Sequence, residues 1–315
     1  MKNSSAPPPK QTCLARRSLS IRRLAILLLL LAGIIPPPRL QAIIFYFTAD
    51  PDYNTTAPTG SLAGSGWQWV GSWGGFQGTV IGPHHFLAAQ HVGGVPGDPF
   101  VFQGVSYRAV AFIDDPTTDL RIVEVAGDFP TWAPLYRRGD EAGKTFVVFG
   151  RGSARGAEVW VDNVLKGWQW GAAGTLRWGQ NSVARVVNLR MGGGDHLYAR
   201  FESTGGVNEC HLASGDSSGP IFIDDGSGYK LAGVAHVVDG PFNTRNTGDG
   251  FNAALFDIRG LYARTAGKDW KYVAGFWPVP SGFFATRVSV RTQWIDSVLR
   301  PSPPKPLVSP PAGTG

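Results

Sequence analysis

Apolar and polar positions alternate along most of the chain in short runs, each closed by glycine, proline or aspartate. The runs crowd together from residue 66: Trp67 to Trp73, Phe76 to Ile81, His85 to Gln90, Phe100 to Ile113 and Leu120 to Val125. Valine, isoleucine, phenylalanine and tryptophan dominate them and no helical period competes, so the pattern predicts strands. After a looser join over residues 126–144, a second set follows: Thr145 to Phe149, Glu158 to Gly171, Thr175 to Asn188, His196 to Glu202, Pro220 to Ile223 and Tyr229 to Val238. Two such groups predict an all-β protein of two small antiparallel β-barrels, residues 43–135 and 136–300. Ile43 to Asp50 reads as a strand or arm ahead of the first.

Two stretches break the pattern. Residues 239–280, with NTRNTGDG and KDWKYVAGFWPVP, predict an inserted loop region beside the second barrel, with a short helix around Ala253 to Ala263. Over Arg291 to Leu299 the residues Trp294, Ile295 and Val298, with Val290 just before them, fall at helical spacing and predict a C-terminal α-helix with one buried face. The proline-rich residues 301–315 cannot build a core and predict a disordered tail.

Composition changes one part of this picture. The net charge of +6 suggests a nucleic-acid partner, but residues 1–42 hold seven of the 29 basic side chains and no acid. The remainder carries 22 basic against 23 acidic residues, with no basic stripe to follow a phosphate backbone. Residues 1–42 combine a basic segment, the apolar run Leu24 to Ile35 and the small residue Ala42. That run is short for a bilayer span and suits a signal peptide cleaved after Ala42. Export to the periplasm or the medium is therefore expected, with membrane contact ending at cleavage. Cys13 falls in the same segment, so Cys210 is the single thiol beyond it, expected as a small buried apolar group with no intramolecular disulfide to form.

Candidate chemistry gathers around Gly215-Asp216-Ser217-Ser218-Gly219-Pro220. A serine between glycines can sit on a tight turn with its hydroxyl exposed, where the N–H groups of Gly215 and Ser217 converge on one point that would hold an oxyanion. Its nucleophile needs a base and an orienting acid. His91 ends a strand-like run and precedes the turn Val92-Gly93-Gly94, which lets its ring project into a cleft. Asp119, just before the apolar strand Leu120-Arg121-Ile122-Val123, is the preferred acid over Asp114 and Asp115, which precede Pro116 in a turn. His84, His85 and His91 have no acidic or thiol partner at ligand spacing, so neither a metal site nor a cofactor is expected.

Ala88-Ala89-Gln90-His91-Val92, Thr118-Asp119-Leu120-Arg121-Ile122 and the serine hexapeptide resemble the three motif regions of the trypsin-like (chymotrypsin-fold) serine peptidases, in that family's order of His, Asp, Ser. Lys144 to Gly152 resembles the strand that opens the family's second barrel, and Gly282 to Val288 followed by Trp294-Ile295 resembles its last strand and helix. The resemblance covers roughly residues 66–300, with 239–280 as an insertion, and suits a secreted bacterial-type member without disulfides. It implies two six-stranded barrels and a monomeric endopeptidase acting on protein or peptide substrates. Ser217 would be nucleophile, His91 general acid/base and Asp119 orienting acid, with Gly215 and Ser217 N–H as oxyanion donors.

The resemblance implies further roles. His211, six residues before the serine, matches the base of the primary pocket, and His236 lies near a pocket wall; either would favour an acidic substrate side chain. Many family members pair a freed apolar N-terminus with the acid matched by Asp216, and cleavage after Ala42 would expose Ile43-Ile44. Ser218 replaces a usual glycine, which requires ordinary backbone angles there, and Gln90 replaces a small residue. Two other classes remain open: a catalytically silent binding module on the same scaffold, and a carbohydrate-binding β protein suggested by the eleven tryptophans. The latter needs an exposed aromatic face, whereas most tryptophans are expected in the core.

Overall fold

The computed structural model describes residues 43–189, 193–264 and 269–300; the predicted signal peptide and proline-rich tail lie outside them. Strand β1 (Ile44–Phe45) pairs with Cys210 and His211, so this arm belongs with the second barrel and not, as its position in the chain suggested, with the first. Six strands then follow: β2 (Val70–Trp73), β3 (Phe76–Gly82), β4 (His85–Ala89), β5 (Pro99–Phe102), β6 (Val105–Asp114) and β7 (Leu120–Ala126). They close antiparallel in the order β2-β3-β4-β7-β6-β5. The predicted single strand Phe100 to Ile113 is a hairpin, because Gln103 and Gly104 take φ of 49° and 81° and turn the chain back.

The second half comprises β8 (Thr145–Gly150), β9 (Ser153–Val161), β10 (Val164–Ala173), β11 (Arg177–Leu189), β12 (Gly194–Arg200), β13 (Cys210–His211), β14 (Pro220–Asp224) and β15 (Tyr229–Val238). After it come β16 (Phe242–Asn243), β17 (Ala253–Leu255), β18 (Tyr262–Arg264), β19 (Trp270–Tyr272), β20 (Gly282–Arg287) and α1 (Thr292–Leu299). Strands β11-β12-β20-β15-β14-β8 close the second barrel. The protein is thus all-β, with two closed six-stranded antiparallel barrels and a C-terminal helix.

The inserted region is more ordered than its composition suggested. No helix forms at residues 253–263. Instead β17 adds to the edge of β10, with Gln169, Trp168 and Gly167 opposite Ala253, Ala254 and Leu255, and β16, β18 and β19 make a small sheet. Ala253, Ala254 and Leu255 are fully buried, and strand pairing with that burial outweighs the helix preference of alanine and leucine.

Three apolar clusters organise the barrels. Val80, Phe86, Phe100, Phe102 and Val123 fill the first, where the Phe86 and Phe100 rings stack with centroids 4.0 Å apart. Only glycine fits at position 78 beneath them, since a Cβ there would overlap both rings. Phe146, Val148, Leu197, Ile221 and Phe283 fill the second. The third cluster joins Leu87, Leu120 and Ile122 to Phe149, Phe222 and Leu231, and Ile295 of α1 packs into it as its helical spacing predicts. Each such side chain contributes roughly 1.5–3 kcal/mol on burial, so the seam between barrels is as firmly held as either core. His91 and Asp119 stand on one side of that seam and Ser217 on the other. Cys210 is a buried free thiol whose pKa burial pushes up, as expected for an inert apolar group. Of the tryptophans, Trp132, Trp160 and Trp277 are exposed and the others buried or half-buried.

Candidate active site

Strand β4 runs into a tight turn at Gln90–Val92, and that turn aims His91 across the seam. Its Nδ1 lies 2.5 Å from Asp119 Oδ2 and its Nε2 lies 2.8 Å from Ser217 Oγ. Asp119 Oδ1 also accepts the His91 backbone N–H at 3.1 Å, which fixes the carboxylate's orientation. The Asp119 side chain is 13% exposed and that of His91 38%, so the acid is sheltered while the imidazole faces the cleft. The three side chains singled out in the sequence therefore meet in one hydrogen-bonded line. Asp114 and Asp115 are occupied elsewhere, Asp114 by Arg121 and Asp115 by Arg291.

Gln90 has a role the sequence did not suggest. Its Nε2 donates to the carbonyls of Asp115, Thr118 and Leu120 at 2.9–3.0 Å, tying down the loop that carries Asp119. Its backbone N–H donates to Asp119 O at 2.7 Å.

Gly215 has φ of 92°, a region that favours glycine, and neither its N–H nor that of Ser217 meets an acceptor among the described residues. Both remain available to an oxyanion. Asp216 is fully buried, accepting N–H groups from Gly152 at 2.6 Å and Ala213 at 2.8 Å. Burial raises its pKa to about 7, opposed by those two donors and by the charge of Arg177. Ile43 is also fully buried, and it and Asp216 both lie against Gly150.

Ser218 corrects the expectation of ordinary angles: its φ is 67°, in the left-handed region. Its buried hydroxyl accepts the Ala89 N–H at 3.0 Å, linking the serine turn to the strand that carries His91. This hydrogen bond offsets a strain of about 1–2 kcal/mol. Ser218→Ala keeps the strain and orphans a buried donor, so it should cost about 1–3 kcal/mol, while Ser218→Gly should cost about 1 kcal/mol less. Urea unfolding midpoints order the two variants; an alanine variant as stable as the glycine one would contradict the strain.

Of the two pocket histidines, His236 lines the cleft beside Ser217 and His211 does not. His211 is fully buried on β13, with Nδ1 2.5 Å from Leu212 O, Nε2 3.3 Å from Ser281 Oγ and the rings of Phe201 and Phe283 against it. Burial lowers its pKa to about 4, so it is uncharged at neutral pH and offers no cation to a carboxylate. His236 sits where β15 shifts register against β20 between Ala235 and Val237, and the irregularity carries its ring to Asp119. Its Nε2 lies 3.6 Å from Asp119 Oδ2, and its Nδ1 lies 2.7 Å from Nε2 of His196. Burial pushes the pKa of both His236 and His196 down. Beside Ser217, a cleft lined by Leu212, Ala213, Asp216, Ala235, His236, Val237 and Val238 has room for about 20 Å³, one or two water molecules.

Neither a family model nor a curated protein matches the chain. Among solved structures it is similar to neuropsin, a serine protease expressed in the limbic system of mouse brain, at 14% identity and a TM-score of 0.46 over 75% of this chain and 96% of that one.

Proposed function

We propose that the chain is an exported serine endopeptidase. The observation that carries the reading is the unbroken line Ser217 Oγ, His91 Nε2, His91 Nδ1, Asp119 Oδ2, with contacts of 2.8 and 2.5 Å. Ser217 attacks a peptide carbonyl while His91 takes its proton, and Asp119 holds the ring in the tautomer with Nε2 free to accept. The Gly215 and Ser217 N–H groups hold the tetrahedral oxyanion. His91 then gives the proton to the leaving amine, and water releases the acyl enzyme by the same steps. No cofactor enters this chemistry.

A fluorophosphonate probe tests the reading. It should label the wild-type protein and leave Ser217→Ala unlabelled; an unreactive wild type would refute it. The second reading, a catalytically silent binding module, is favoured by one observation, the narrowness of the cleft beside Ser217, and it predicts that unreactive result.

Activation belongs to the same proposal. Cleavage after Ala42 would free the α-ammonium of Ile43, and the buried Asp216 carboxylate against Gly150 is a fitting counter-charge. N-terminal sequencing of the exported protein should begin at Ile43. A different first residue removes this part.

A further inference from the structure

We infer that His91 Nδ1, Asp119 Oδ2 and His236 Nε2 form a site for a borderline-soft divalent cation, zinc being the example, which silences the triad when bound. The three side chains offer ligand atoms that all lie within 4.8 Å of one another. Counting protons along the histidines shows why a cation belongs there. Gly194 O, a pure acceptor, lies 3.0 Å from His196 Nδ1, so that nitrogen carries the proton and Nε2 of the neutral ring is bare. His236 Nδ1, 2.7 Å from the bare nitrogen, must donate to it. Nε2 of neutral His236 is then a bare lone pair facing the Asp119 carboxylate at 3.6 Å. Two acceptors oppose each other, and a cation satisfies both.

The spacing is close to what such an ion requires. Metal–ligand distances near 2.0–2.1 Å place neighbouring ligand atoms of a tetrahedral ion about 3.3 Å apart. The His236–Asp119 separation of 3.6 Å needs little change, and the 2.5 Å contact between His91 and Asp119 opens as the ion replaces the shared proton. Every ligand already has the outer partner that metal ligands usually have. His236 donates to His196, which is anchored on Gly194; Asp119 Oδ1 accepts the His91 N–H; and His91 Nε2 faces Ser217 Oγ. The half-exposed His91 leaves an approach from solvent and a fourth position for water. Two imidazoles and one carboxylate select zinc or copper over magnesium or calcium.

Binding balances in protons. The metal–Nδ1 bond forms as the proton leaves Nδ1, and one proton is taken up at Nε2. His91 then donates to Ser217 Oγ and no longer accepts from it, so the base is lost. This inhibitory half rests on the serine-peptidase reading; the binding of the ion does not.

The test measures zinc binding by calorimetry on untagged Ser217→Ala protein, which keeps all three ligands, beside zinc inhibition of the wild type. One ion should bind per chain. Adding His236→Gln should weaken it at least 10-fold, and His196→Gln, which removes only the outer partner, should also weaken it about 10-fold or more. His84→Gln, removing a surface histidine 3.3 Å from Asp128, should leave that affinity unchanged. No binding, or an affinity that His236→Gln leaves unaltered, overturns the site. Binding of that pattern with full hydrolysis at saturating zinc overturns the inhibitory half alone. A wild type that hydrolyses nothing yet binds zinc this way retains the site and removes the peptidase reading.

Discussion

Ser217→Ala is expected to lower kcat for peptide hydrolysis by about 10⁶-fold, the scale on which a nucleophile's removal acts when it works as one unit with its base. The expectation comes from the contact pattern. Ser217 Oγ makes one side-chain hydrogen bond among the described residues, to His91 Nε2 at 2.8 Å, and the hydroxyls that stitch the surrounding structure belong to other residues. Ser218 holds Ala89, and Asp216 holds Gly152 and Ala213. Alanine therefore removes the attacking atom and leaves the turn intact, so the thermal midpoint should move by no more than a half-exposed surface change does, within about 0.5 kcal/mol. Retained hydrolysis would refute the nucleophile, and loss of folding together with activity would refute the claim that Ser217 is dispensable to the turn.

How far the site was legible in the sequence depends on which link in the chain carried it. The strands were legible because apolar residues dominate β4 (HFLAA) and β7 (LRIVEVA), with turn residues close to their ends, and the register of β4 on β7 places Ala89 opposite Leu120. That pairing alone brings the residues following one strand beside those preceding the other, His91 beside Asp119. The His236 network was not legible, since the face a strand residue presents depends on register, and a shift at its own position brings the ring beside Asp119 as well as the cleft. The grouping of His91 with Asp119 and His236 was not legible for the same reason. The sequence offered His84, His85 and His91 as neighbours in the chain, whereas the fold supplies Asp119 and His236 from distant strands. The left-handed backbone of Ser218 was not legible because its buried partner, the Ala89 N–H, is not disclosed by sequence. The insertion does not read as strands because short ones on a barrel's flank, such as the three residues of β17, carry too few residues to declare a period.

Asp119→Asn is expected to lower kcat by about 10⁴-fold with little loss of stability. The His91 backbone N–H donates to Oδ1 at 3.1 Å, so the amide of an asparagine turns its oxygen to that donor and its NH₂ to His91 Nδ1. An NH₂ group can only donate. Nδ1 of neutral His91 must then be bare, Nε2 carries the proton, and the ring donates to Ser217 Oγ where it should accept. The same NH₂ faces His236 Nε2, which the proton count leaves bare, 3.6 Å from the present carboxylate oxygen. The amide can hydrogen-bond there, which compensates in the fold what is lost in the chemistry. The variant should therefore unfold within about 1 kcal/mol of the parent while its turnover collapses. Steady-state kinetics at neutral pH beside thermal unfolding checks both halves. Near-normal turnover would mean that the Asp119 carboxylate does not set the His91 tautomer, and a large drop in stability would mean that its charge, rather than its acceptor geometry, holds the loop fastened by Gln90.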